Sequence, residues 1–241
     1  IVVYCEVDRA ISDLEIELIE VLSRNITLGF DNVHMVEELR AMVFTDGLTK
    51  LKNRHGCMFD AQKLMQRNTS FHLILLDIQN FSLINSYFGN KIGNDILLGI
   101  AHCLKEMLSQ HSNLYRMNGD VFAILVNGNW STTNRLIENI QERCKRGLKI
   151  DDLTMPITFS IGCAFQDLDS SVRAFEQAEV ALSAAKENKQ QQVLYDEVMN
   201  IKLSNRIKVL KDLYNAIGTD EFFMVYQPKV CSQTKKFVGA E

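Results

Sequence analysis

Two apolar runs flank the polar triplet Asn118-Gly119-Asp120: Leu114 to Met117 before it and Val121 to Val126 after it. Asn-Gly suits a type I′ turn, in which both central residues take positive φ. The pattern therefore predicts an antiparallel hairpin with Asp120 near its tip. On these residues alone Asp120 is ordinary turn chemistry.

The remaining elements follow from the same kind of pattern. Ile1 to Val7 is β-branched and apolar, fitting a strand, and Ser12-Asp-Leu-Glu15 has the spacing of a capping box. A long helix follows, with Leu14, Leu18, Val21, Val36, Leu39 and Val43 at intervals that place them on one stripe. Such a stripe needs a partner. It is either a second copy of the helix in a coiled coil or the body of its own domain, and Gly29 and Asn32 interrupt the heptads. Thr45 to Arg54 breaks the helix, and a second helix is predicted over Gly56 to Met65.

A strand is then predicted over Phe71 to Asp77, a short amphipathic stretch over Phe81 to Phe88, a turn over Gly89 to Gly93 and a helix over Asp95 to Leu108. After the hairpin come helices over Asn134 to Arg146 and Ser171 to Glu187, separated by a strand over Pro156 to Ala164. The order β-α-β-β-α-β-α implies an α/β fold, a mixed sheet with helices on its faces. Asp196 to Ile217 is a further amphipathic helix.

Composition changes this picture little. The 241 residues are 46% apolar and 23% charged, enough for a real core. A net charge of -4 gives no support for a nucleic-acid or anionic-membrane partner. The run Phe71 to Leu76 is too short to span a bilayer, and the expected location is cytoplasmic. Six scattered cysteines without a C-x-x-C pair are expected to be reduced structural thiols. The chain starts inside an apolar run without an initiator Met and is read as a piece of a longer protein.

One position invites chemistry. Asp77 leaves a rigid apolar strand at its C-terminal end, where its carboxylate could face a cation beside Asp120. The plainer alternative is an acid that ends the strand and caps the next segment.

Several ordered motifs together resemble the GGDEF domain, the family of diguanylate cyclases, over roughly residues 45–195. Asp46-Gly-Leu-Thr-Lys-Leu-Lys-Asn-Arg54 is similar to D-x-L-T-x-L-x-N-R, and Asp77-Ile-Gln-Asn-Phe-Ser-Leu-Ile-Asn85 to D-x-D-x-F-K-x-I-N. Gly89 and Gly93 match G-H-x-x-G-D, and Arg116 to Phe122 stands where the family has R-x-G-G-D/E-E-F. Ser160-Ile-Gly162 and Ala181 to Lys186 match S-I-G and A-L-Y-x-A-K. The resemblance implies a sheet of about five strands like the palm of adenylyl cyclases. It also implies condensation of two GTP molecules to cyclic di-GMP by a homodimer using two Mg²⁺ ions.

The resemblance assigns metal contacts to Asp77 and Asp120, and nucleotide contacts to Asn85, Asn94, Asn118, Gly119 and Lys186. Several of these positions depart from the pattern. Val121 replaces the second active-site acid and can neither ligate Mg²⁺ nor take a proton. Asn118 replaces a Gly, and Asn94 an Asp whose charge would receive the guanine donors. Gln190 stands for a phosphate-binding Arg and Ser82 for the Lys of F-K. Ser109 and Ser112 fall where an inhibitory R-x-x-D would be. The expectation is a degenerate domain with vestigial Asp120 and Val121 and no catalysis.

Residues 219–241 resemble the opening of an EAL domain, the cyclic di-GMP phosphodiesterase family, with Glu241 as the Glu of that motif and as a disordered terminus in this chain. The expected organisation is the end of a sensor domain and a signalling helix over 1–44, the GGDEF domain over 45–195, a connector helix over 196–218 and the truncated EAL start over 219–241. The favoured function is regulation of the adjoining phosphodiesterase, with GTP and Mg²⁺ as candidate ligands. An active cyclase and a ligand-free interaction module stand as alternatives.

Overall fold

Ser12 accepts a hydrogen bond from the Glu15 amide at 3.4 Å, while the Glu15 carboxylate accepts one from the Ser12 amide at 2.9 Å. This capping box starts α1 (Asp13–Phe44) in the computed structural model, which describes residues 12–150, 153–167, 173–219 and 221–241. The strand predicted over Ile1 to Val7 and the first residues of the helix predicted from Ser171 lie outside the described residues. α1 runs unbroken through Gly29 and Asn32. Its stripe of Leu14, Leu18, Val21, Val36, Leu39 and Val43 stays exposed, so the helix is not packed lengthwise on its own domain. At its C-terminal end the Phe44 ring meets Phe59, with centroids 5.5 Å apart.

The elements that follow are α2 (Arg54–Gln66), β1 (Phe71–Ile78), α3 (Phe81–Met107), β2 (Ser112–Asn118), β3 (Val121–Val126) and α4 (Trp130–Lys145). Then come β4 (Leu148–Ile150), β5 (Leu153–Met155), β6 (Phe159–Gln166), α5 (Ala174–Glu187), β7 (Gln192–Leu194) and α6 (Glu197–Ala216). The last pair is β8 (Pro228–Val230) and β9 (Phe237–Ala240). The main sheet has five strands in the order β2-β3-β1-β6-β7, antiparallel except for the β6–β7 pair. The expected mixed sheet with flanking helices is therefore present. The short β4–β5 hairpin and edge strand β7 were not foreseen, because three residues carry no periodicity.

Every residue of β1 is buried, which places it at the centre with both faces covered. Its side chains divide with period two. Ile74, Leu76 and Ile78 pack with Ile96, Ile100 and Leu104 of α3 and Ile137 and Ile140 of α4. Phe71, Leu73 and Leu75 pack on the opposite face with Cys57 and Ala61 of α2 and with Ala178 and Leu182 of α5. Asp77 continues this second series, and so it points toward the face that carries α5.

Three local expectations are corrected. The turn predicted over Gly89 to Gly93 is a single-residue kink inside α3, where Gly89 alone leaves helical geometry with φ 84°. The hairpin does form, but its two-residue loop is Gly119-Asp120, with Asn118 paired to Val121. Gly119 has φ +56° while neither Asn118 nor Asp120 is positive, so the turn is not type I′. A register shift between Arg116 and Asn118 accounts for the displacement, because an extra residue in β2 moves the tip along by one.

The chain divides into two compact units, one ending at Tyr195 and one starting at Asp196. In the second, the Asp196 side chain caps α6, and β8 pairs with β9. Glu241 is not a loose end. Its backbone exchanges hydrogen bonds with Gln227, at 2.8 and 2.9 Å, and its carboxylate meets Lys229 Nζ at 2.9 Å.

Candidate functional site

β1 and β3 set the geometry of the site. Their antiparallel register puts Asp77 directly opposite Val121, and the Ile78 amide donates to the Asp120 carbonyl at 3.3 Å. Directly opposed residues point to the same face with Cβ atoms about 4.5–5.5 Å apart. A carboxylate at position 121 would thus stand beside Asp77. The residue present is apolar and packs partly buried against the core on the α5 side.

Asp77 is nearly buried, with its side chain 10% exposed, and its Oδ2 accepts a hydrogen bond from Lys186 Nζ near the end of α5. Burial pushes the Asp77 carboxyl above its ordinary range. The Lys186 hydrogen bond and charge oppose that rise, and the neighbouring Asp120 carboxylate adds to it. Lys186 is held there by backbone packing. A Cβ on Gly162 would lie 2.3 Å from the Leu182 amide nitrogen and 2.4 Å from the Ala178 carbonyl, so α5 rests directly on β6. The late S-I-G motif is therefore a contact surface for the helix that delivers the lysine.

Asn85 lies on the first part of α3, before the Gly89 kink, and its Oδ1 is buried without a hydrogen-bond partner. That oxygen lies where a Cβ on Gly93 would fall, 1.8 Å from it, so only glycine fits there beside Asn85 in this position. Gly89 and Gly93, paired in the sequence motif, thus do different work: one bends the helix and the other makes room for an amide. Asn94 and Asn118 are exposed, as is Gly119.

Two polar groups at the site had no role in the sequence reading. Gln79 stands at the second acid of D-x-D, and its amide is used up locally. It donates to the Phe159 carbonyl at 3.3 Å and to Ser160 Oγ at 3.2 Å, and accepts from Thr158 Oγ1 at 3.0 Å. Arg116 donates to Asp46 Oδ1 at 2.9 Å and, through Nε and Nη2, to the Gly119 carbonyl at 3.2 and 2.7 Å. Both lie within motifs already identified. The Arg116–Asp46 contact spans 70 residues, so only the folded chain reveals it.

Asp46 also closes the turn after α1, accepting from the Thr49 amide at 2.7 Å and hydroxyl at 2.6 Å. Burial opposes its ionisation, but the bonds from Thr49 and Arg116 outweigh it and hold the carboxyl below its ordinary range. The same turn bonds to its surroundings. Asn53 Nδ2 donates to the Val43 carbonyl at 2.8 Å, the Asn53 amide to the Phe44 carbonyl at 2.8 Å, and the Arg116 amide to the Lys52 carbonyl at 2.9 Å.

The site thus brings together Asp77, Asp120 and Lys186, with Val121 between the acids in the register. Among the described residues there is no group of three or more His, Cys, Asp or Glu side chains placed to hold a metal ion. No helix among them is long and apolar enough to cross a membrane.

Comparison with known proteins agrees with this architecture. The family model "Diguanylate cyclase, GGDEF domain" matches residues 43–192. The signaling protein YkoW of Bacillus subtilis is 28% identical over 94% of this chain and 29% of its own length. The bifunctional diguanylate cyclase/cyclic di-GMP phosphodiesterase MucR of Pseudomonas aeruginosa is 24% identical over 85% of this chain and 31% of its own. The chain therefore spans less than a third of either relative. Among solved structures, the coiled coil and GGDEF domain of DgcB from Caulobacter crescentus superposes with a TM-score of 0.64. It covers 76% of this chain and 99% of that one at 23% identity, a likeness of fold. With more than half its length matched by the family model, the chain belongs to the diguanylate cyclase GGDEF family.

Proposed function

We propose that this chain is part of a cyclic di-GMP signalling protein in which a GGDEF domain without cyclase activity regulates an adjoining EAL phosphodiesterase by binding GTP. The observation that carries the reading is the pairing of Asp77 with Val121 across β1 and β3. A phosphoryl transfer that deprotonates a hydroxyl and neutralises a triphosphate needs carboxylate-held metal at that spot, and valine offers no ligand. A pair of Mg²⁺ ions does not fit the donor set. Asp77 is already paired with Lys186, and Asp120 is left as the other acid. A single Mg²⁺ at Asp77 and Asp120 would have to displace the Lys186 ammonium first.

GTP remains a fitting ligand. The buried Asn85 Oδ1 lacks a donor, and a rotation of its amide would offer it to the N–H groups of guanine. Gly119 at the tip leaves backbone open to the phosphates, with Asn118 and Asn94 exposed around it.

The organisation proposed is a sensor remnant and signalling helix over 1–44, the GGDEF domain over 45–195, a connector over 196–218 and the EAL start over 219–241. MucR, by its name, joins cyclase and phosphodiesterase functions in one protein, which supports the presence of both kinds of domain in one chain. Homodimerisation through α1 is part of the same reading. Seven exposed apolar residues, Leu14, Leu18, Val21, Leu28, Met35, Leu39 and Met42, follow the three-four spacing of a coiled-coil seam, with Asn25 and Asn32 at two of its positions. Asparagine at such positions fixes register and partner number.

The test is to incubate the purified protein with GTP and Mg²⁺, follow cyclic di-GMP by chromatography and titrate GTP by calorimetry in parallel. Binding without product is expected. Multiple-turnover product formation would overturn the reading, and absence of binding would remove GTP from it.

A further inference from the structure

We propose that Lys186 stands in for the metal at this site, so that a guanine nucleoside triphosphate binds without any divalent cation. The inference rests on the GTP-binding reading above and goes further, because it assigns the charge that meets the phosphates.

Three observations carry it. The Lys186 ammonium is bonded to Asp77 Oδ2, yet the lysine side chain is 47% exposed while that of Asp77 is 10% exposed. An ammonium has three N–H donors. One goes to Asp77, which leaves two on the open side of the pair for phosphate oxygens. To coordinate Asp77, a divalent cation would first have to displace this like charge, with no acid at position 121 to compensate it.

The position is also prepared in advance. The contact between α5 and β6 at Gly162 is backbone against backbone, so the root of the Lys186 side chain is set by the fold. In addition, the second carboxylate position of the D-x-D pattern is the amide of Gln79, whose polar atoms are already engaged by Thr158, Phe159 and Ser160. Charge neutralisation of the triphosphate therefore falls to the lysine.

The experiment is a calorimetric GTP titration of the whole chain in saturating Mg²⁺ and again in excess EDTA. The two dissociation constants should agree within about threefold. Lys186→Met should weaken binding in EDTA by about tenfold or more, whereas Asp77→Asn, which frees the ammonium for the ligand, should hold or tighten it in both buffers. Loss of about tenfold on adding EDTA, or weaker binding of Asp77→Asn in Mg²⁺, would overturn the proposal and leave GTP binding standing. Failure of the unaltered chain to bind in either buffer would overturn both.

Discussion

Arg116 and Asp46 meet at 2.9 Å with their side chains only 11% and 23% exposed, and the same guanidinium holds the Gly119 carbonyl. The tip of the hairpin is thereby tied to the turn that ends α1. Arg116→Ala leaves a mostly buried carboxylate without its counter-charge and a backbone carbonyl without its side-chain donor. Loss of about 2–3 kcal/mol in urea unfolding is expected. Arg116→Lys should recover less than half of it, since an ammonium lacks the fork that reaches both acceptors.

Asp46 and Asp77 should give opposite pH signatures. The folded carboxyl of Asp46 lies below its unfolded value of 3.8, so its stabilisation is present above that pH and lost as pH falls through the lower folded value. The folded carboxyl of Asp77 lies above 3.8, so it favours the fold in acid and loses that contribution as pH rises through the folded value. At neutral pH Asp46→Asn should therefore cost about 1–2 kcal/mol. Asp77→Asn should instead gain about 0.5–1 kcal/mol. Thermal melts from acid to neutral pH would show the first difference shrinking, and the second vanishing, below the unfolded carboxylate pKa.

Val121→Glu adds an acid directly opposite Asp77, on the same face. Without metal the like charges should cost about 1–2 kcal/mol. Mg²⁺ should raise the melting temperature of this variant and leave that of the unaltered protein unchanged. An equal response of the two would show that position 121 does not govern metal access.

Gly162→Ala is the most damaging single methyl predicted. The added carbon would meet α5 backbone at 2.3 and 2.4 Å, and no rotamer change can relieve a backbone contact. A cost of about 3 kcal/mol is expected. The displaced helix should also weaken the Lys186–Asp77 pair, so the pH dependence attributed to Asp77 should change in whatever folded protein remains.

Leu18→Asp combined with Leu39→Asp places charge on the exposed stripe of α1. Sedimentation should shift from dimer to monomer, while urea stability of the sheet domain changes by less than about 0.5 kcal/mol. A dimer that persists would locate the contact elsewhere.

The fold was readable in the sequence for most of the long elements, although α3 was divided by a turn where the chain only kinks at Gly89. β1, with its apolar run, and α1, with its capping box, appear where the pattern places them. The hairpin was found but its turn was misjudged, because the bulge near Met117 shifts the loop from Asn-Gly to Gly-Asp, and a one-residue shift leaves no mark on an apolar pattern. Asp77 was singled out by its place at the strand end, and the structure adds what the sequence could not, that Lys186 reaches it from 109 residues away. Arg116, Asp46 and Gln79 were visible as motif letters. Their roles stayed hidden because each is defined by a partner distant in sequence.

The bonded turn after α1 has a mechanical meaning. Residues 45–53 share hydrogen bonds with the last turn of α1 through Asn53, with β2 through Lys52, and with the hairpin tip through Asp46 and Arg116. A twist applied to α1 can thus reach Gly119 through a chain of short polar links without deforming the hydrophobic layers on either side of the sheet. The sheet acts as a stiff frame and the turn as a crank, and a signal carried this way would change the posture of the Gly119-Asp120 loop at little cost in core packing.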